Sequence, residues 1–469
     1  MQDSQLFSIL RTLSKKEIRD LKKWLSSPVH NQRDDVLLLF EYLIVGNRLH
    51  EEKYLKKERV FSKLFPKQTF DDARLRQVKH FLLKSVEEFL IYQELREDQV
   101  RSKLALASVY RKRKLEKAFQ KTMKSAQSAQ EQFPHRNEHF FHNAYLLHQE
   151  QFKFQSEQQR MIENNLQDVS DSLDTMFLVD KLRQACLMLA HQKVFKTEFE
   201  IGLLQEILNY IESKQILNIP AIAIYYYTYK TTVEKDNPSH FEALKSELKA
   251  HIQYFPTDEQ RDIYLLAINY CIGRINVGER PFMREAFELF RKGMEQMILI
   301  ENGTLNRFTF RNIVNLGTIL KEFDWIERFI ARYQQYLLPK YRQNFVHFSN
   351  VLLHYGRGDY NEARRLLSQF DYDDVLMNMN GKIMLIKMYY EQEEIDALES
   401  LLESMRNYVH RKKVIGYHKS IYSNLIRYTR RLVRVNPYDK AQKTKLRKEI
   451  EGANPLPERA WLLERLEAL

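Results

Sequence analysis

Glycine and proline are scarce in this sequence, with 12 and 11 residues among 469. No glycine occurs between Gly46 and Gly202. An all-β protein needs many tight turns that depend on glycine, so this gap argues against such a fold. The segments between the prolines are rich in Leu, Lys, Glu, Gln, Arg and Ala, which are good helix formers. The sequence therefore predicts an all-α protein whose helices end near the prolines.

Cysteine is also rare, since Cys186 and Cys271 are the two in the chain. They provide neither a disulfide framework nor a Cys-x-x-Cys metal motif. Both lie in apolar helical patterns, which predicts two buried, reduced thiols. No apolar run is long enough to span a bilayer, and the first residues lack a basic segment followed by an apolar one. We therefore predict a cytoplasmic protein without a membrane span.

The sequence contains no motif that indicates catalysis. The glycine-rich phosphate loops, the Gly-x-Ser-x-Gly elbow and the His-Glu-x-x-His zinc motif are all missing. His135, His139 and His142 recur at i, i+4 and i+7, so they share one helix face, where two imidazoles could hold Zn²⁺. No further ligand is evident, and a polar helix face or an inter-helix contact explains them better. We predict a non-enzymatic protein with no cofactor, metal or catalytic residue.

The N-terminal part predicts short, separate helices. Ser14 and Glu17 form a capping box, and apolar residues then follow at helical spacing up to Pro28. Farther along, Leu82, Val86, Phe89 and Leu90 form an apolar stripe. We predict that residues 1–95 form an N-terminal helical domain, or a cap on the helices that follow.

An internal repeat lies in the second half of the chain. Residues 351–363 recur at 385–397, and a weaker copy precedes them at a shift of 35. The 34-residue shift aligns Tyr355 with Tyr389, Asp359 with Glu393, Ala363 with Ala397 and Leu367 with Leu401. In residues 358–363, glycine permits a turn, aspartate can cap the next helix, and the small Ala363 allows two helices to pack closely.

Residues 358–363 resemble the turn and second-helix start of the tetratricopeptide repeat, a helical hairpin with a 34-residue period. The resemblance is best over residues 310–405. It implies an α-solenoid of antiparallel helical hairpins over residues 96–405. The first and last segments also resemble uncharacterised helical-array proteins of Bacteroidetes-type bacteria, a resemblance that implies no activity.

Stacked hairpins create a long open face that suits an extended peptide or a partner helix better than chemistry requiring a sealed pocket. We therefore predict a protein-interaction scaffold or adaptor that binds a peptide or protein partner. The sequence predicts neither the partner's identity nor the oligomeric state.

Positive charge is concentrated near the end of the sequence. Residues 406–448 contain fourteen lysines and arginines and one acid, Asp439, whereas the whole chain has a formal charge of +12. In the predicted helix 417–435, apolar residues follow one stripe: Ile421, Leu425, Tyr428 and Leu432. Basic residues fall opposite this stripe and form the candidate face for an anionic partner: Lys419, Arg427, Arg430, Arg431 and Arg434. We predict that residues 406–469 form a basic C-terminal helical cap.

Several interpretations of the basic face remain open. It could be a solvated surface that keeps the cap soluble, or it could attract an acidic protein, nucleic acid or an anionic membrane surface. Aromatic residues between the basic ones could stack on bases, although no recognised nucleic-acid motif is present. The alternative to a scaffold is therefore a nucleic-acid-associated regulator that uses the C-terminal face.

Overall fold

A computed structural model describes residues 4–46, 48–158, 164–195, 198–369, 375–411 and 417–469. These residues form twenty-three α-helices and one short hairpin, β1 (Ile300–Glu301) paired antiparallel with β2 (Thr304–Leu305). The predicted all-α class is confirmed. None of the described helices has the length and apolarity needed to cross a bilayer.

The chain divides into two compact units. Unit 1 comprises the described residues of 1–226 and 247–255. Ten helices lie entirely in it: α1 (Gln5–Thr12), α2 (Lys15–Ser26), α3 (Asp34–Ile44), α4 (Lys57–Leu64), α5 (Asp72–Glu97), α6 (Gln99–Lys112), α7 (Glu116–Glu131), α8 (Glu138–Gln158), α9 (Leu166–Phe195) and α10 (Leu204–Lys214). The division passes through α11 (Pro220–Val233) and α12 (Pro238–His251).

Unit 2 comprises the described residues of 227–246 and 256–469. Its remaining helices are α13 (Thr257–Asn276), α14 (Pro281–Glu295), α15 (Arg307–Ile319), α16 (Phe323–Tyr333), α17 (Pro339–Arg357), α18 (Tyr360–Ser368), α19 (Val375–Glu391), α20 (Ile395–Arg411), α21 (Tyr417–Arg434), α22 (Lys440–Gly452) and α23 (Arg459–Ala468). Short 3₁₀ turns lie at Glu52–Tyr54, Ile216–Asn218 and Ile252–Tyr254 in unit 1, and at Gln334–Tyr336 in unit 2.

Helices α1 to α5 share one apolar core that includes Phe7, Phe40 and Val86. The predicted capping box is present, because the Glu17 amide donates to Ser14 Oγ at 3.2 Å and the Ser14 amide donates to the Glu17 carboxylate at 2.7 Å. A second core joins α6, α7 and α8, where Phe119 and Phe154 stack with ring centroids 4.0 Å apart. The division into 1–95, 96–405 and 406–469 stays a prediction.

Within each unit, helices pack mainly on their neighbours along the chain. In unit 1, α6 contacts α7 and α8; in unit 2, α15 contacts α16 and α17. In α6 with α8 and in α15 with α17, a helix contacts the next but one along the chain. Such contacts are typical of stacked hairpins, because each hairpin lies on the next. The structure is therefore compatible with a helical-repeat fold.

One turn geometry recurs between the two helices of five hairpins. A residue in the left-handed conformation donates its amide to the carbonyl three residues back, and the next amide donates to the carbonyl five back. These hydrogen bonds measure 2.8 to 3.2 Å and form the Schellman motif that ends many helices. The left-handed residues are Lys114, Gly278, Lys321, Gly358 and Glu393.

The turns correct the repeat alignment. They are separated by 43, 37 and 35 residues from Gly278 to Glu393, so a shift of 35, not 34, superposes Gly358 on Glu393. The alignment of Ala363 with Ala397 is wrong by one residue. Leu398 is fully buried in the position equivalent to Ala363, whereas Ala397 is half-buried. The error arose because Tyr355 matches Tyr389 at one shift and Tyr390 at the other, and Asp359 likewise matches Glu393 or Glu394, so residue types alone do not distinguish the two shifts.

Candidate functional site

A groove lies on the first helices of three successive hairpins in unit 2, α15, α17 and α19. Each helix contributes residues at or near i, i+4 and i+7, so each turns one face to the groove. The residues from these helices are Arg311, Asn315, Thr318 and Ile319; Phe348, Leu352 and Tyr355; and Asn380, Ile383, Met384 and Lys387. Glu458, which immediately precedes α23, also lines it.

The helices approach one another closely beside this groove because two of them carry glycine there. A Cβ atom on Gly356 of α17 would collide with the Thr318 side chain of α15. A Cβ atom on Gly317 would collide with Ile326 of α16. Only glycine leaves room for this packing, so these residues position the α15 and α17 walls.

The groove combines an apolar floor with polar walls. Phe348, Ile383 and Met384 are buried, at 4%, 7% and 7% exposure. Arg311, Asn315, Asn380 and Lys387 are half-buried. The volume of about 430 Å³ lies within the range of ligand clefts, which are mostly apolar with a few polar groups that orient the ligand.

Two buried polar atoms on the α15 side have no hydrogen-bond partner among the described residues. They are Arg311 Nε and Thr318 Oγ1. A buried donor without an acceptor costs about 1–3 kcal/mol. Both residues line the groove, so these unsatisfied groups lie beside the space that a ligand would fill.

On the α19 side, the ammonium of Lys387 pairs with Glu458. Their Nζ and Oε2 atoms are 3.0 Å apart, and the two side chains are 17% and 35% exposed. The same ammonium lies 5.6 Å from the ring centroid of Tyr355 and 5.9 Å from that of Trp461. Lys387 is therefore already satisfied by groups of its own chain.

The segment that carries Glu458 is anchored by Glu391 of α19. Trp461 Nε1 donates to Glu391 Oε1 at 3.1 Å, and the Tyr360 hydroxyl donates to the second oxygen of the same carboxylate. Burial, together with the Glu391 hydrogen bond, raises the pKa of Tyr360 far above its usual range. The start of α23 is thus fixed against α19.

Most residues of the predicted basic face contact side chains of their own unit, so the face is not a free cationic surface. Its apolar stripe packs inward as predicted, with Leu425, Tyr428 and Leu432 buried. Arg430 pairs with Glu403 at 2.6 Å, and Arg434 pairs with Glu399 at 3.0 Å. Both acids belong to α20.

The remaining three residues of that face differ from one another. Arg431 pairs with Glu449 of α22, and these hydrogen bonds raise the pKa of the guanidinium and lower that of the carboxyl. Arg427 donates to the Tyr428 hydroxyl at 2.6 Å and lies 4.5 Å from its ring centroid. Lys419 is exposed. Lys412 and Lys413, counted in the basic segment, lie outside the described residues.

Other exposed cations of this region lie on α22. Lys440, Lys445 and Lys448 of α22 are exposed, whereas Leu446 and Ile450 of the same helix are buried. Tyr438, just before α22, is 94% exposed. The accessible positive charge of this region therefore includes α22 lysines that the α21 pattern did not identify.

The three histidines on α8 and just before it do not come together as a ligand set. His139 Nε2 lies 2.9 Å from Asp98 Oδ2, and His142 Nε2 lies 2.6 Å from Asp180 Oδ2. His139 and His142 thus have separate partners, Asp98 at the N-cap of α6 and Asp180 on α9. No group of three or more metal-binding side chains with a suitable arrangement occurs among the described residues.

Comparisons with protein-family models, curated proteins and solved structures find no match to this chain. The groove residues were missed at the sequence level, although a signal exists. Arg311 and Asn315 stand at i, i+4 on α15, and Asn380 and Lys387 stand at i, i+7 on α19, although both helices carry other polar residues as well.

Proposed function

We propose that this chain is a non-enzymatic interaction scaffold or adaptor that binds an extended peptide segment of a partner protein. The observation that carries the proposal is the groove on α15, α17 and α19, with its apolar floor and the buried, unpartnered Arg311 Nε and Thr318 Oγ1. The groove crosses three consecutive hairpins, so an extended chain can contact several helices at once.

The chemistry of the groove fits a peptide. Apolar side chains can rest on Phe348, Ile383 and Met384, while backbone carbonyls accept from the wall donors. The similarity of residues 358–363 to a tetratricopeptide-like turn supports the same interpretation, because the five Schellman turns form hairpins of that general kind. Their uneven spacing makes the array a divergent one.

The test is recovery of a partner from native lysate after nuclease treatment. Leu352→Arg places a long cationic side chain in the groove, and we expect it to abolish recovery. Leu366→Arg is the matched control, because Leu366 is also half-buried but lies on α18 of the same hairpin. Recovery with Leu352→Arg equal to wild type would show that the groove is not the binding surface.

A nucleic-acid-associated role is the second candidate, and one observation favours it. Lys440, Lys445 and Lys448 are exposed on α22, and the exposed ring of Tyr438 precedes them. Lysines contact phosphates, and an exposed aromatic ring can stack on a base. This candidate uses α22 rather than the four arginines of α21, all of which contact side chains of their own unit.

A further inference from the structure

The groove has an uneven charge. On the α19 side, Lys387 is neutralised by Glu458 at 3.0 Å. On the α15 side, Arg311 has no carboxylate partner among the described residues, and its Nε is buried without an acceptor. The free positive charge of the groove therefore belongs to its α15 side.

Glu458 adopts a costly backbone conformation, which the contacts around it must hold in place. Its φ is 55°, in the left-handed region that disfavours residues with a Cβ atom by roughly 1–2 kcal/mol. Strain of this kind persists where the surroundings hold it. Here the contact of Trp461 with Glu391 fixes the start of α23, and the Glu458 carboxylate is left on Lys387.

A second carboxylate would meet two obstacles on the α19 side. It would have to displace Glu458 from Lys387, and it would experience repulsion from the Glu458 charge. A carboxylate on the α15 side meets neither. Arg311 offers charge-assisted hydrogen bonds there, and the Asn315 amide lies one helical turn away on the same face.

We propose that the groove selects an extended peptide with one acidic residue, whose carboxylate binds Arg311 and Asn315, while Glu458 excludes a second acidic residue from the Lys387 side. The inference rests on the proposed function, because it specifies the ligand of that groove. Neighbouring apolar residues of the peptide cover Phe348 and Met384. Glu458 is therefore a specificity-determining residue of the groove.

The experiment selects random eight-residue peptides displayed on phage against the full chain. Wild type should enrich peptides with one acidic residue beside apolar ones. Arg311→Gln should keep the apolar preference and lose the acidic one. Glu458→Gln should newly enrich peptides with two acidic residues. Glu467→Gln is the matched control, because it removes the same charge from α23 outside the groove residues, and it should select as wild type does.

A synthetic form of the best wild-type peptide gives the second measurement. Loss of a charge-assisted hydrogen bond should weaken its binding to Arg311→Gln about ten- to hundred-fold. Asn315→Asp should have a similar effect, because its carboxylate would occupy Arg311. This second variant keeps the test decisive if Arg311→Gln does not fold.

The outcomes separate the two proposals. If no peptide is enriched by wild type, the proposed function fails. If peptides are enriched without an acidic preference, the groove binds peptides and the inference is overturned. If Glu458→Gln selects the same single-acid peptides as wild type, Glu458 does not determine specificity.

Discussion

At the scale of single residues, burial distinguishes two alanines that the sequence treats alike. Ala363 is fully buried, whereas Ala397 is half-buried and its neighbour Leu398 fills the core. Ala363→Trp should lower the free energy of unfolding by about 1–3 kcal/mol or more, because the site has no room for an indole. Ala397→Trp is the control and should cost less. Denaturant titration measures both, and equal losses would favour the 34-residue alignment.

The two cysteines give a second residue-scale prediction. Burial raises the pKa of Cys186 and of Cys271 to about 12, from 9.0. At pH 8 the thiolate fraction is therefore about a thousandfold lower than in the unfolded chain. Iodoacetamide should leave both thiols unmodified in the native protein and label both in guanidinium, as mass spectrometry would show. Rapid labelling of either native thiol would contradict its burial.

The raised pKa of the two thiols also makes the stability of the fold depend on pH. The neutral thiol is favoured by the fold, so its contribution is complete below pH 9 and is lost as the pH rises toward about 12.

At the scale of the helical elements, some hairpin turns place a non-glycine residue in the left-handed conformation, and a substitution by glycine can remove this strain. Lys321 has φ of 60° in the turn between α15 and α16, where Gly358 serves the equivalent position of the next hairpin. Lys321→Gly should raise the free energy of unfolding by about 0.5–1 kcal/mol, because glycine adopts this conformation without a Cβ penalty. Thermal unfolding measures the gain.

A control with the same residue change tests the cause. Lys124 is exposed within α7, so Lys124→Gly should destabilise the chain by about 1 kcal/mol. A loss at both positions would mean that Lys321 is not strained in its turn.

The elements also show what sequence alone can predict. The Ser14–Glu17 capping box and the apolar stripe of α21 depend on residues within one helix, and the structure confirms them. The register of the hairpins does not depend on such local patterns. Lysine and glutamate occupy left-handed turn positions at Lys114, Lys321 and Glu393, so the glycine signal is missing at most turns.

The candidate sites were harder to predict for a similar reason. The acids that neutralise α21 are Glu399, Glu403 and Glu449, which lie just outside the basic segment in sequence and within reach of it in space. A count along the chain therefore overstated the free charge of that helix. The groove likewise depends on three helices separated by about 35 residues each, which only tertiary packing brings together.

At the scale of the whole molecule, the charge of +12 makes some polyanion binding expected, and the question is which cations contact the phosphates. The logarithm of the affinity for single-stranded DNA falls with the logarithm of salt by about 0.7 per phosphate neutralised. Replacing Lys440, Lys445 and Lys448 together with glutamine should therefore reduce this slope by about 2. Fluorescence anisotropy with a labelled oligonucleotide across a salt series measures it.

The matched variant replaces Arg430, Arg431 and Arg434 with glutamine and removes the same formal charge. Because all three already pair with glutamates of α20 or α22, we expect it to leave the slope unchanged. The opposite result would assign phosphate contact to α21, since a slope counts the cations that bind rather than those that merely raise the net charge. Binding that is insensitive to salt in all three proteins would remove nucleic acid as a candidate partner and leave the groove as the site to pursue.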